Sequence, residues 1–204
     1  MTVLFTMLGY DVTALELTAA LLAVAAIGLG IAGTRWMWPL YFASGVLYAW
    51  LFVEFDLYAS ALLQVVFVVA SVWGWFTWGE AGVREPRALA PRQRLLLAAG
   101  VLAGWVVTAP LLKAVGGAAT WPDAFILVAS LAAQILLIAE YVEAWPGWVI
   151  INVVGVAHYA NQDLWFTALL YLVLLIMGAT GWRQWSLRRE SVRAAAAAPA
   201  EPSA

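Results

Sequence analysis

Residues 38–78, WPLYFASGVLYAWLFVEFDLYASALLQVVFVVASVWGWFTW, and residues 145–185, WPGWVIINVVGVAHYANQDLWFTALLYLVLLIMGATGWRQW, decide the fold. Laid over one another at a constant shift of 107, they agree at twelve of 41 positions without a gap. Aliphatic composition explains the matching Val, Ala and Leu positions. It does not explain Trp38/Trp145, Trp75/Trp182, Trp78/Trp185, Gly74/Gly181, Pro39/Pro146 or the Asp56-Leu57/Asp163-Leu164 pair. Carried upstream, the same shift sets Glu16 on Asp123 and the first apolar segment on the fifth. The pattern is three helices, one connector helix and three helices. An even number of crossings separates the halves, so they are expected to run in the same direction about an axis along the membrane normal. Parallel repeats of this kind occur in transporters that hold substrate between the halves near the midplane.

The surrounding composition demands a membrane. Of the 204 residues 65 % are hydrophobic and 11 % charged, with a mean hydropathy of +0.90, where soluble chains are about 45–50 % apolar and about 25 % charged. Seven apolar segments follow, near 15–32, 38–55, 58–78, 95–115, 124–139, 146–160 and 165–185. In hydrocarbon these must be helices, because every backbone group has to be satisfied within its own segment. The expected class is therefore an all-α integral membrane protein of seven transmembrane helices. One transporter domain is expected over 1–190, with repeat one over about 11–79, a linker helix over about 94–115 and repeat two over about 118–186. The stretch 191–204, an Ala run with two prolines, is expected to be a disordered cytoplasmic tail. Arg35, Arg84, Arg87, Arg92, Arg94, Arg183, Arg188, Arg189 and Arg193 sort to one side and Lys113 to the other, which places the carboxyl terminus inside and the amino terminus outside. Met1 to Tyr10 carry no Lys or Arg, so no cleaved signal is expected.

Function classes fall away on the same count. Without cysteine there is no disulfide, thiolate nucleophile or Cys-based metal site, and sparse, sorted basic residues leave no nucleic-acid groove. Lys113 is the sole lysine and lies at a span end, so a retinal-type pump lacks its attachment point. One His and no Cys leave little for an intramembrane enzyme. No metal or cofactor is called for, and a non-transporting membrane assembly protein is the reading left outside transport.

Polar side chains within spans are costly and mark candidate sites, although helix-to-helix hydrogen bonding also uses them. Gln64 lies in the third segment, and Ser130 and Gln134 share a face of the fifth. Trp145, Trp148 and Asn152 recur at i, i+3, i+7 and line one stripe of the sixth. Carboxamides with indoles suit a flat neutral or cationic heterocycle. No Lys or Arg stands at mid-span to pair with a phosphate, so nucleosides fit better than nucleotides. His158, the only histidine, reads as an end-of-helix hydrogen-bonding group, and Trp75, Trp78, Trp182 and Trp185 read as anchors in the interfacial belt. No carboxylate is placed at mid-span, which favours facilitated diffusion over ion coupling.

Several stretches resemble the PnuC family of vitamin-precursor transporters: LFTMLGYDVTALEL at 4–17, LYASALLQVVFVVASVWGWFTW at 57–78, DAFILVASLAAQ at 123–134, and EAWPGWVIINVV and LWFTALLYLVLLIMGATGWRQW within 143–185. The most specific elements are Glu143-x-Trp145-Pro146-x-Trp148-x3-Asn152, Gly-Trp-x2-Trp and Thr167-x-Leu169-Leu170-Tyr171. The resemblance implies a SWEET-like arrangement of two parallel repeats and homo-oligomers, a trimer being the candidate. It implies uptake of nicotinamide riboside for NAD biosynthesis by facilitated diffusion through the plasma membrane, with trapping by cytoplasmic phosphorylation. Relatives carry thiamine or riboflavin. Carried over position by position, Gln64, Gln134, Trp145, Trp148, Asn152 and Tyr171 are the implied substrate-binding residues. Tyr41, Ser44 and Glu140 depart from the family pattern.

Overall fold

The computed structural model describes residues 2–7, 9–54, 58–83, 85–114, 120–163 and 165–197. Arg84, the Asp56-Leu57 pair, Leu164, the predicted start of repeat two at 118 and the stretch 198–204 lie outside the described residues. The described chain forms a two-stranded antiparallel hairpin, β1 (Val3–Met7) and β2 (Tyr10–Thr13). Seven helices follow: α1 (Ala14–Ile31), α2 (Met37–Glu54), α3 (Tyr58–Trp78), α4 (Pro91–Ala114), α5 (Thr120–Ile138), α6 (Ala144–Ala160) and α7 (Trp165–Ala197).

Local sequence sets these boundaries. Thr13 caps α1, its hydroxyl accepting from the Glu16 amide at 3.2 Å, and places an acid in the first turn, where the helix dipole favours it. Pro39 and Pro146 sit in the first turns of α2 and α6, where an absent N–H costs nothing because those amides have no intrahelical acceptor. The repeated Trp-Pro is thus a helix-start signal. α4 begins on Pro91, and Gln93 Oε1 accepts from the Ala90 amide at 2.8 Å.

Among the described residues, five helical stretches are long and apolar enough to cross a membrane: Ala14–Ile31, Ala61–Trp78, Pro91–Ala114, Trp121–Ile138 and Trp165–Ala197. α2 and α6 do not reach that measure, α6 having only 17 residues and carrying Asn152 and His158. α4 is exposed along Leu95, Leu96, Leu102, Val106, Val107 and Leu111. It docks on α5, where the Trp105 indole donates to the Trp121 carbonyl at 2.7 Å.

Two expectations are corrected, and beside the seven helices the sequence reading did not foresee the hairpin, whose strands flank Gly9 at φ +84° and whose Tyr10 ring stacks on Phe166 of α7 at 6.2 Å. Helix α7 continues through Ala197, so 191–197 is helical rather than disordered, as the high helix propensity of an Ala run allows. Trp78 and Trp185 are 3 % and 0 % exposed and belong to the core, not to an interfacial belt; Trp182, 46 % exposed, stays at the surface.

The shift of 107 recurs in the packing. The Trp78 indole N–H donates to the carbonyls of Leu137 and Ile138 at the end of α5, at 3.3 and 3.2 Å. Trp185 donates to Gly30 and Ile31 at the end of α1, both at 3.2 Å. Trp38 meets Trp78 edge to face at 5.0 Å, and Trp145 meets Trp185 likewise at 5.5 Å. Trp78 and Trp185 lie 5.9 Å apart and close the group of four. A Cβ on Gly74 would collide with the Trp38 indole, and one on Gly181 with that of Trp145.

The loop after α3 ties the same end together. The Val83 amide donates to the Gly33 carbonyl at 2.8 Å, and the Arg87 amide to that of Glu140, also at 2.8 Å. Arg188 reaches the carbonyls of Val83 and Ala32 at 3.0 and 2.9 Å. Arg35 lies over the Trp75 ring at 4.1 Å and Arg87 over Tyr141 at 4.7 Å. This is the arginine end of the bundle. The opposite, acidic end carries the hairpin, Asp11, Glu16, Glu54, Asp123 and Asp163.

Gly33 and Glu140 hold equivalent left-handed turns, at φ +76° and +62°. Only glycine takes that conformation without strain. Burial also pushes the Glu140 carboxyl up, with Arg87 partly opposing it. Glu140→Gly is therefore expected to raise stability by about 0.5–1 kcal/mol, read as an increased thermal unfolding midpoint in detergent.

Candidate functional site

The stripe on α6 runs Trp145, Trp148, Asn152, Gly155, Tyr159, each one helical turn from the next. Its two ends have different surroundings. Trp145, 2 % exposed, is locked in the tryptophan group at the arginine end, and its Nε1 has no hydrogen-bond partner. Trp148 is half-buried against the cluster of Ile126, Ala129, Ala133 and Ile151. Asn152 is 4 % exposed. Tyr171 of α7 lies so close over Gly155 that a Cβ there would collide with its ring, and its ring centroid is 4.9 Å from that of Tyr159.

The first half holds the remaining carboxamide. Gln64 Oε1 lies 3.9 Å from the position a Cβ would take on Gly45. At the shift of 107, Gln64 is the counterpart of Tyr171, Gly45 of Asn152 and Tyr41 of Trp148. Trp148 and Asn152 thus share one face of α6 with Gly155, over which Tyr171 lies, and Gln64 sits beside Gly45 in the first half.

Gln134 stands elsewhere. It is 3 % exposed, and both its amide nitrogen and its oxygen lack partners. It lies one turn before Leu137 and Ile138, whose carbonyls Trp78 reaches, and so borders the seam between the halves. Burying an unpaired amide costs roughly 1–3 kcal/mol, a cost that a bound polar ligand would remove.

Sequence reasoning did not select Tyr41, Tyr48 or Tyr159. The signal available was the repeat itself, which makes Tyr41 the mate of Trp148. The end-of-helix reading of His158 agrees with its contacts: its Nε2 is 2.8 Å from Asp123 Oδ1 and 2.8 Å from Gln162 Nε2. Glu16 is 7 % exposed and accepts the Tyr10 hydroxyl at 3.0 and 3.1 Å. Burial, with the nearby Glu16 carboxylate, pushes the Tyr10 phenol up to about 12, so it remains a donor at neutral pH. Two clefts open at the arginine end, one of about 320 Å³ beside Arg94, Glu143, Trp182 and Arg189, the other of about 490 Å³ beside Arg35, Glu80 and Arg188. None of the six sequence-predicted residues borders either.

A helical bundle with membrane-length apolar helices, a duplicated core and an unpaired carboxamide buried beside the seam fits a membrane transporter of small molecules. The particular family follows from comparison with known proteins: the family model "Nicotinamide mononucleotide transporter" matches residues 13–187, and the chain belongs to that family, the PnuC family. It is 29 % identical to "Nicotinamide riboside transporter PnuC" of Escherichia coli, over 91 % of each chain. It is 30 % identical to "Riboflavin/roseoflavin transporter RibM" of Streptomyces davaonensis, over 85 % of this chain and 84 % of that one. The crystal structure of "the Vitamin B3 transporter PnuC" superposes with a TM-score of 0.73 at 26 % identity, covering 87 % of this chain and 82 % of the other. The family is one of membrane transporters, not of enzymes.

Gln134→Leu is expected to leave the ligand-free unfolding midpoint unchanged or slightly raised, because it removes a buried unpaired amide, while Asn152→Ala is expected to weaken ligand binding about tenfold or more. Gly155→Ala is expected to cost about 1–3 kcal/mol of stability through collision with Tyr171. Thermal unfolding with and without ligand separates the two effects.

Proposed function

We propose that this protein mediates facilitated diffusion of nicotinamide riboside into the cell, with direction supplied by phosphorylation of the product in the cytoplasm. In this reading all seven helices cross the plasma membrane in a SWEET-like 3+1+3 arrangement. The recurrence of the indole-to-carbonyl bonds at the shift of 107 supports parallel repeats. The arginine end faces the cytoplasm under the positive-inside rule, which leaves the amino terminus outside. The homo-oligomer implied by the family resemblance belongs to the same reading.

The observation that supports the substrate class is the buried Asn152 carboxamide, one helical turn from Trp148 and from Gly155, over which Tyr171 lies. It can donate to and accept from the amide of a flat ring that stacks on the indole. Gln64 offers a second carboxamide from the first half, and Trp145 and Gln134 contribute unpaired polar atoms toward the arginine end. A phosphate would find no cation here: the arginines whose contacts are described, Arg35, Arg87, Arg94 and Arg188, all lie at one end of the bundle. That favours the riboside over the mononucleotide. Riboflavin is the second reading, favoured by the similarity to the riboflavin/roseoflavin transporter.

Purified protein in liposomes is expected to take up nicotinamide riboside without any ion gradient until inside and outside concentrations are equal, and to exclude nicotinamide mononucleotide. Accumulation above the outside level driven by pH or sodium would overturn the facilitator mechanism. Uptake of riboflavin in place of the riboside would establish the second reading.

A further inference from the structure

Helix α6 begins with a carboxylate that does not cap it. Glu143 stands at the N-cap position, yet its side chain bonds none of the helix's first amides. Those amides are already supplied: Ala144 and Trp145 donate to the carbonyls of Tyr141 and Val142 at 3.1 Å each, and Pro146 has no N–H to satisfy. The carboxylate is turned instead onto the entry and first turn of α4. Both of its oxygens accept from the Leu89 amide at 3.2 Å, and Oε1 accepts from Arg94 Nε at 2.9 Å and lies 2.8 Å from Arg94 Nη2. The Glu143 side chain is only 14 % exposed, although Arg94 reaches it from the surface. A carboxylate so shielded depends on its donors, whereas freely solvated ion pairs contribute little. The tie belongs to the second half alone, because the shift of 107 sets Trp36 opposite Glu143.

We propose that Glu143 is a positioning residue for the substrate: through Arg94 and the Leu89 amide it makes the linker helix α4 the reference against which α6 is set, and so fixes where Trp148 and Asn152 meet the ligand. The assignment rests on the transport reading above and deepens it. Trp145, Trp148 and Asn152 follow Glu143 on the same helix, which advances 1.5 Å and turns about 100° per residue, so a shift at its start displaces all three. Trp105 provides the contrast. It ties α4 to α5 through the Trp121 carbonyl, with its ring against Trp121 and Phe125. Losing either tie loosens α4, but only the one at Glu143 holds the start of α6.

The test compares the concentration dependence of nicotinamide riboside uptake in liposomes containing the full chain, Arg94→Ala, Arg94→Lys, Glu143→Gln or Trp105→Phe. Arg94→Ala and Glu143→Gln are expected to raise KM about tenfold with the maximal rate within about twofold of wild type. Arg94→Lys keeps the charge and is expected to raise KM by about threefold or less. Trp105→Phe is expected to lower the unfolding midpoint while leaving KM within about twofold. Because the chain has no cysteine, spin labels can be attached at Leu96→Cys of α4 and Ile150→Cys of α6, both exposed positions. The distance distribution between them is expected to shift or broaden in Arg94→Ala and to stay unchanged in Trp105→Phe. An unchanged KM in Arg94→Ala and Glu143→Gln, a fall in maximal rate alone, or an equal KM shift in Trp105→Phe overturns the positioning role and leaves the transport reading intact. With no uptake by wild type the transport reading falls, and the label distances decide whether Glu143 sets α6: a distribution indifferent to Arg94→Ala overturns it. Where Arg94→Ala fails to fold, Glu143→Gln takes its place in both measurements.

Discussion

Two indole N–H groups, those of Trp78 and Trp185, hold the two halves together at the arginine end. The last carbonyls of any helix lack intrahelical donors, and in a membrane water is a poor source of them. Trp78 fills that need at the end of α5 and Trp185 at the end of α1. Each half thus completes a helix of the other. Gly74 and Gly181 allow Trp38 and Trp145 to lie flush against α3 and α7, and these rings buttress the donors edge to face. An indole can only donate, so neither bond can be reversed or exchanged for water bridging within the core.

With that end fixed, the rest of the repeat is free to diverge. The core positions keep Trp, Pro and Gly in both halves, whereas the counterparts around Asn152 differ: Gly45 for Asn152, Gln64 for Tyr171, Tyr41 for Trp148. A symmetric frame therefore presents unlike chemistry from its two sides. That is the requirement for holding an asymmetric heterocycle, because a site with identical walls would bind it equally well in two opposed poses.

Charge is arranged along the bundle rather than across it. The described arginine contacts collect at one end, on carbonyls, aromatic rings and the Glu80 and Glu143 carboxylates, while Glu16 with Tyr10 lies at the other. The same sorting that sets topology in the bilayer also leaves the interior without a formal positive charge among the described residues.

Much of this was legible in the sequence. The shift of 107, the seven helices and the sorting of arginines needed only counting, because hydropathy, helix-start prolines and backbone satisfaction are local constraints. The carboxamide stripe on α6 was legible from its 3.6-residue period. Burial of the tryptophans was not: Trp78 and Trp182 look alike in sequence, and only the approach of α5 places one in the core while the other faces outward. Nor could the chain alone reveal the N-terminal hairpin, which depends on Phe166, some 150 residues distant, to cover Tyr10. Partners separated by that length are chosen by packing, and packing is a property of the assembled surfaces rather than of any one segment.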